Sequence, residues 1–192
     1  MFFLRKPSEA RIARFVAEQK REPLSYREVG ASRARTPPRG YAANRGRVRL
    51  GSGEETYRRA IRALQRWAMY DMSWIRILWA DTPISAGSTV GLLVRHYGFW
   101  SLNACRIVYV IDEREGAVHR YGFGYGTLSE HGERGEERFT VEWRRENDEV
   151  WYELFSFSRP GPLLSWIGYP FNRALQKRFA RESLRAMAEA CP

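Results

Sequence analysis

An α+β fold, a curved antiparallel sheet followed by a long C-terminal helix, is the class this sequence predicts. Three observations carry it. Six β-like runs succeed one another between positions 74 and 157, and the last three are joined by connections short enough for neighbouring antiparallel strands. No helical crossover separates those three, which favours antiparallel pairing over a βαβ sheet. Beyond position 160 the apolar residues recur at helical spacing.

At 192 residues the chain suits one domain, or one domain with an appendage, and hides about 70% of its unfolded surface. A hydrophobic fraction of 44%, with 7 Trp, 10 Tyr and 10 Phe, argues for an ordered core rather than disorder. No apolar run approaches the roughly 20 residues that cross a bilayer, so no stable membrane insertion is expected. The opening MFFLRKP lacks the hydrophobic segment of a secretory signal after its basic pair. Cys105 and Cys191 offer no disulfide framework, so a cytoplasmic location is expected. The net charge of +10 comes almost entirely from arginine, lysine standing only at Lys6, Lys20 and Lys177. Such a field attracts nucleic acid, anionic lipid or acidic metabolites. Acids are interspersed with these bases throughout, however, which is the pattern of a solvated surface rather than a polyanion footprint.

Ser8 is placed to cap a first helix through about Lys20, with Ile12, Phe15 and Val16 as its apolar face. The LSYREVG segment reads as extended, and TPPRGYAANRG as a non-helical connection, because adjacent prolines restrict φ. GSGEETYRRAIRALQRWAMY is a stronger helical signal. Ser52 and Glu55 have capping-box spacing, and Tyr57, Ile61, Leu64 and Ala68 recur at intervals of about 3.6. Arg58, Arg59, Arg62 and Arg66 mostly take the other side. Strands are predicted at 74–78, 89–96, 102–111, 118–127, 137–144 and 150–157. GPLLSWIGYP reads as a turn or short helix, with Pro170 at the start of a longer one. Phe171, Leu175, Phe179 and Ala186 form that helix's apolar stripe, each large member adding about 1.5–3 kcal/mol if fully buried.

The ordered motifs YREVG, GSGEETYRRAIRALQRW, NACRIVYVID, YGFGYGTLSEHGERGEERF and FSFSRPGPLLSWIGYPFNR resemble Uncharacterised Protein Family 0548 over roughly residues 25–188. That family resembles in turn the birch-allergen and START-like helix-grip superfamily. The resemblance implies a helix-grip fold, in which a bent antiparallel sheet wraps a long C-terminal helix around an apolar cavity. It also divides the chain into an N-terminal helical extension, 1–22, and a single domain, 23–192. The matching residues include Tyr125, His131, Arg134, Glu136 and Arg159, none with a catalytic role implied.

The chemical constellations are sparse. His96, His119 and His131 make neither HExxH nor a cysteine-histidine cluster, so no metal is expected. Gly122, Gly124 and Gly126 match neither GxxxxGK[ST] nor GxGxxG, and no cofactor is expected. If the strand is regular, these glycines share one face and Tyr121, Phe123, Tyr125 and Thr127 the other. The glycine face then serves sheet curvature, close approach of the terminal helix, or room for a ligand. Arg134 and Arg138 are expected to pair with Glu133, Glu136, Glu137 or Glu142, latching the loop.

Three functional readings remain open. The first is a protein binding a small hydrophobic or amphipathic molecule, with Asn103, Arg106, Tyr125, Tyr152 and Ser156 as polar contacts and Arg106 pairing with Glu153. The second is an acid/base enzyme, a cyclase, dehydratase or hydrolase, built on His131 and Tyr125 with Glu133 or Glu137. The third is an arginine-rich scaffold or nucleic-acid-associated protein.

Overall fold

Side chains alternate along a strand, so a sheet covered on both sides must satisfy two different layers. In the computed structural model, which describes residues 1–161 and 169–192, this sheet does so with a curled antiparallel array. Its strands are Phe2–Phe3 (β1), Ala42–Ser52 (β2), Ile75–Leu78 (β3), Thr89–Arg95 (β4), Trp100–Glu113 (β5), Val118–Thr127 (β6), Glu133–Arg144 (β7) and Glu149–Pro160 (β8). The order is β2-β8-β7-β6-β5-β4-β3, and β1 joins β5 by pairing Phe2 with Ser101 and Phe3 with Trp100. Three helices are described: Glu9–Gln19 (α1), Gly53–Gln65 (α2) and Tyr169–Glu189 (α3). The sheet curls around α3, so the architecture is the α+β helix-grip fold.

The concave layer is the main core. Leu92, Cys105, Phe123, Phe139, Val141, Tyr152 and Leu154 from the sheet meet Ala60 and Leu64 of α2, and Phe179 and Met187 of α3. On the convex side, Ile12, Phe15 and Val16 of α1 pack on Leu93, Leu102 and Ala104. Ser8 caps that helix by accepting the Arg11 N–H at 3.3 Å. A second convex cluster joins Tyr26 and Tyr41 to Phe155 and Phe157. Residues 1–22 therefore contribute both a strand to the sheet and part of its outer cover.

Several local expectations need correction. β2 was not predicted, and it begins inside TPPRGYAANRG. LSYREVG is not a strand: Leu24 makes a single bridge to Leu128, and Gly30 has φ +84° before the 3-10 turn Ala31–Arg33. The capping box does not form, since the Ser52 side chain makes no cap hydrogen bond and Glu55 instead accepts from Arg62 at 3.0 Å. On α3, Phe179 is buried, but Phe171 is 42% exposed and Leu175 half-buried. The full burial contribution therefore belongs to Phe179 alone of those three. The expected turn or short helix over GPLLSWIGYP falls largely on 162–168, outside the described residues.

The glycine repeat alternates as expected, but its glycines meet neither the terminal helix nor a cavity. Tyr121, Phe123 and Tyr125 enter the concave core, which turns the glycines to the convex side. A β-carbon at Gly124 would sit 2.6 Å from Cε1 of Tyr109. At Gly126 it would overlap the Tyr26 hydroxyl and lie 2.6 Å from that ring's Cε1. At Gly122 it would meet the β7 backbone, 2.9 Å from Thr140 Cα, the close strand approach of a curved sheet. Two of the three thus make room for outer-layer tyrosines.

Those tyrosines belong to a polar latch. Glu136, 2% exposed, accepts the Tyr26 hydroxyl at 2.6 Å and the backbone N–H groups of Gly30 at 2.7 Å and Ser32 at 2.9 Å. Ser32 Oγ donates to it as well. Charge-assisted bonds of this kind are the stronger class. Replacing Gly126 by Ala is expected to push Tyr26 off Glu136 and lower the unfolding free energy by about 1–3 kcal/mol, measured by urea denaturation.

Candidate ligand-binding cavity

The curl leaves a cavity of about 550 Å³ between the concave face and α3, a volume typical of small-molecule sites. Leu92 and Val94 of β4, Trp74, Ile75 and Phe99, and Leu175 and Phe179 of α3 supply apolar wall. Strand alternation turns Ser101 and Asn103 of β5, Tyr125 of β6, Glu133 and Glu137 of β7, and Ser156 of β8 toward the same space.

At the polar end, Tyr125 donates to Glu137 Oε2 at 2.7 Å, and the Tyr70 hydroxyl bonds to the Tyr125 hydroxyl. With the Tyr125 proton committed to Glu137, Tyr70 is the donor of that second bond. Gln176 of α3 donates to Ser158 Oγ at 2.8 Å and to Glu133. Nearer β4, His96 Nε2 bonds Ser101 Oγ at 2.8 Å, and Asn103 donates to that hydroxyl at 3.0 Å.

Burial governs the charges here. Glu137 is raised to about 8, first because surrounding atoms exclude bulk water and also because Glu133 repels its charge; the Tyr125 hydrogen bond opposes this. Its remaining accessible surface faces the cavity. His131 is pushed down to about 4 by burial, with the N-terminal ammonium acting the same way. Its Nδ1 accepts the Glu133 N–H at 3.0 Å, so the neutral ring carries its proton on Nε2. Burial raises the Tyr70, Tyr125 and Cys105 acids well above their usual values. At neutral pH the polar end therefore presents a protonated carboxyl, neutral phenols and a neutral imidazole.

Of the residues singled out from sequence, the cavity gathers Asn103, Tyr125, His131, Glu133, Glu137 and Ser156. Tyr152 lies beneath α3, its hydroxyl 2.8 Å from Ser183 Oγ, and does not line the cavity. Arg106 points away and donates to Lys20 O at 2.9 Å; its expected partner Glu153 is paired with Arg138 instead. The loop latch is also different: Glu136 takes hydroxyls and backbone N–H groups rather than an arginine, and Glu142 accepts from Arg120 at 3.1 Å. Arg134 forms no salt bridge with a carboxylate among the described residues, while Arg159 lies over the Tyr41 ring at 4.8 Å. Gly122, Gly124 and Gly126 stay on the opposite face. The sequence reading missed Tyr70, Gln176 and Asn44, all lining residues. Tyr70 sits in the 3-10 turn Ala68–Tyr70 after α2, and only the completed fold brings it to Tyr125. No cluster of three or more potential metal ligands is found among the described residues, and no described helix is long and apolar enough to cross a membrane.

A curled sheet gripping a terminal helix over a lined cavity places the molecule among the helix-grip proteins. Solved structures with similar folds include human STARD10, with a TM-score of 0.49 and 12% identity over 97% of this chain and 80% of that one. Another is Ara h 8.0201, with a TM-score of 0.44 and 9% identity over 78% of this chain and 99% of that one. Residues 25–186 match the model of a domain of unknown function, DUF1990. A UPF0548 protein of Deinococcus radiodurans is 41% identical over 201 residues, covering 99% of this chain and 98% of that protein. One of Dictyostelium discoideum is 34% identical over 206 residues, covering 99% and 95%. The chain belongs to the UPF0548 family, which carries the DUF1990 domain.

The two buried titrations act on stability in opposite directions. Glu137 has a raised folded pKa, so its contribution is fully present below about 4.5 and is lost as pH rises to about 8. His131 has a lowered one, so its contribution is present above 6.5 and is lost as pH falls to about 4. Glu137→Gln is expected to gain stability relative to the parent at pH 8, with the gap narrowing by pH 5. Urea denaturation of both proteins at the two pH values measures this.

Proposed function

We propose that this protein binds a small hydrophobic or amphipathic molecule in the cavity between sheet and α3. The observation that carries the reading is the combination of about 550 Å³ of largely apolar space with a few convergent polar groups at one end, the composition expected of a binding site. Asn103, Tyr125 and Ser156 are the contacts retained from sequence, and Glu137 and Tyr70 join them.

Acid/base catalysis in the same space is favoured by one observation. Glu137, near 8, can give or take a proton at neutral pH, and Tyr125 holds it at 2.7 Å. His131, neutral and with its proton on Nε2, would donate a hydrogen bond to a substrate oxygen. Addition, elimination, cyclisation or hydrolysis would suit that set.

Native mass spectrometry of protein purified without refolding, together with displacement of an apolar fluorophore, tests the binding reading. Leu175→Trp, which fills space at the half-buried α3 wall, is expected to weaken fluorophore binding by about tenfold, about 1.4 kcal/mol. Full binding by that variant would place the fluorophore elsewhere and count against the cavity.

A further inference from the structure

The other carboxylates buried in the sheet are answered by the protein itself. Glu142 has Arg120 at 3.1 Å and Arg35 and Arg47 each at 3.6 Å. Glu153 has Arg138, and Glu136 has the Tyr26 hydroxyl with the Gly30 and Ser32 amides. Glu137 differs. Tyr125 occupies its Oε2, while among the described residues its Oε1 has no donor and no basic side chain acts on its charge. No lysine or arginine among the described residues lines the cavity, and the stretch 162–168, PLLSWIG, contains none. With 32 Lys and Arg against 22 Asp and Glu in the chain, a cavity onto which Glu133 and Glu137 open, with no lysine or arginine among its described lining residues, reverses the balance of ionisable groups in the molecule around it.

From this reversal we infer that the cavity selects an amphipathic amine, whose ammonium meets Glu137 and whose apolar body lies along Leu92, Val94 and Phe179. The inference rests on the binding reading above and names its ligand class. A buried carboxylate without a cation is costly, and an ammonium that arrives with hydrogen bonds to offer relieves it. Tyr70, Tyr125 and Phe179 put aromatic rings in the lining, which attract an organic cation that meets a ring face. An anionic amphiphile would instead bring its charge beside the glutamates with no lysine or arginine among the described lining residues to meet it.

Binding transfers one proton: the ammonium enters as a cation, the Glu137 carboxyl ionises to meet it, and its proton leaves to solvent. The other titratable groups facing Glu137 are Tyr125 on β6, Tyr70 after α2, Cys105 on β5, Tyr152 on β8, and Glu133 on its own strand, with His131 on the adjoining loop. Burial keeps the phenols and thiol protonated, and His131 neutral, above pH 6. Glu133 adds to the same negative field. Amine affinity therefore rises with pH up to about 8.

Calorimetry with phenylbutylamine, phenylbutanol and phenylbutyrate, three probes of one body and different heads, tests the inference on the whole chain and on Glu137→Gln. The parent protein is expected to bind the amine at least about tenfold tighter than the alcohol, with phenylbutyrate weakest. The amine's heat should vary with buffer ionisation enthalpy, showing proton release, and the alcohol's should not. In Glu137→Gln the amine and alcohol affinities should converge. Alcohol or phenylbutyrate binding as tightly as the amine in the parent overturns the amine inference and leaves the cavity reading standing, as does an amine preference that survives Glu137→Gln. Binding of none of the three overturns both. If the variant fails to fold, the parent decides: amine binding without proton release contradicts the inference.

Discussion

Consecutive glutamates on β7 point in opposite directions, and the register that separates them is the constraint on which the rest of the molecule depends. Glu136 stands opposite Gly126 on β6 and Phe157 on β8, while Glu137 stands opposite Tyr125 and Ser156. Because side chains alternate with a period of two, a slip of one residue would exchange them. Glu136 would then lose four donors, and the cavity would receive a carboxylate with no tyrosine beside it. The convex latch thus holds the strand that aims the cavity's polar end.

The same alternation explains how one sheet carries two chemistries. On the convex side, carboxylates meet arginines, backbone amides and hydroxyls, and arginines lie over aromatic rings, as Arg47 does over Trp151 at 4.1 Å. Those contacts engage several of the chain's arginines within the protein. On the concave side, the sheet's curvature leaves space beside the half-buried Leu175 and Gln176 of α3, and burial holds Glu137, Tyr70, Tyr125 and His131 uncharged near neutrality. A tight apolar seam between helix and sheet runs further along, where Gly46 admits Leu184 and Phe179 and Met187 are buried.

Where apolar alternation was strong, the sequence marked the structure closely: the run at 118–127 coincides with β6, and Ser8 with the cap of α1. β2 escaped because Arg45, Arg47 and Arg49 occupy its outward positions and only Val48 and Leu50 mark its inner face as apolar. Its pairing with β8 supplies what its composition does not. The Ser52 and Glu55 spacing was real but unused, because Gly53 enters the helix at φ +87° with its N–H on Asp148 O at 2.9 Å. Arg106 was misread because polarity beside an apolar run marks the far face as readily as a binding contact. Asn103, Tyr125, His131 and Glu137 could be named from motif and strand parity. Their convergence with Tyr70 and Gln176, far away in sequence, follows only from the curl.

The central claim is that β7 delivers a largely buried carboxyl to the cavity with no lysine or arginine among the described residues to answer it. Isotope-edited NMR titration of the Glu137 side-chain carboxyl in ligand-free protein tests it most directly. A midpoint near 8 would agree with the account. A midpoint at the ordinary glutamate value of about 4.3 would mean that water or a cation reaches the group, and would contradict it.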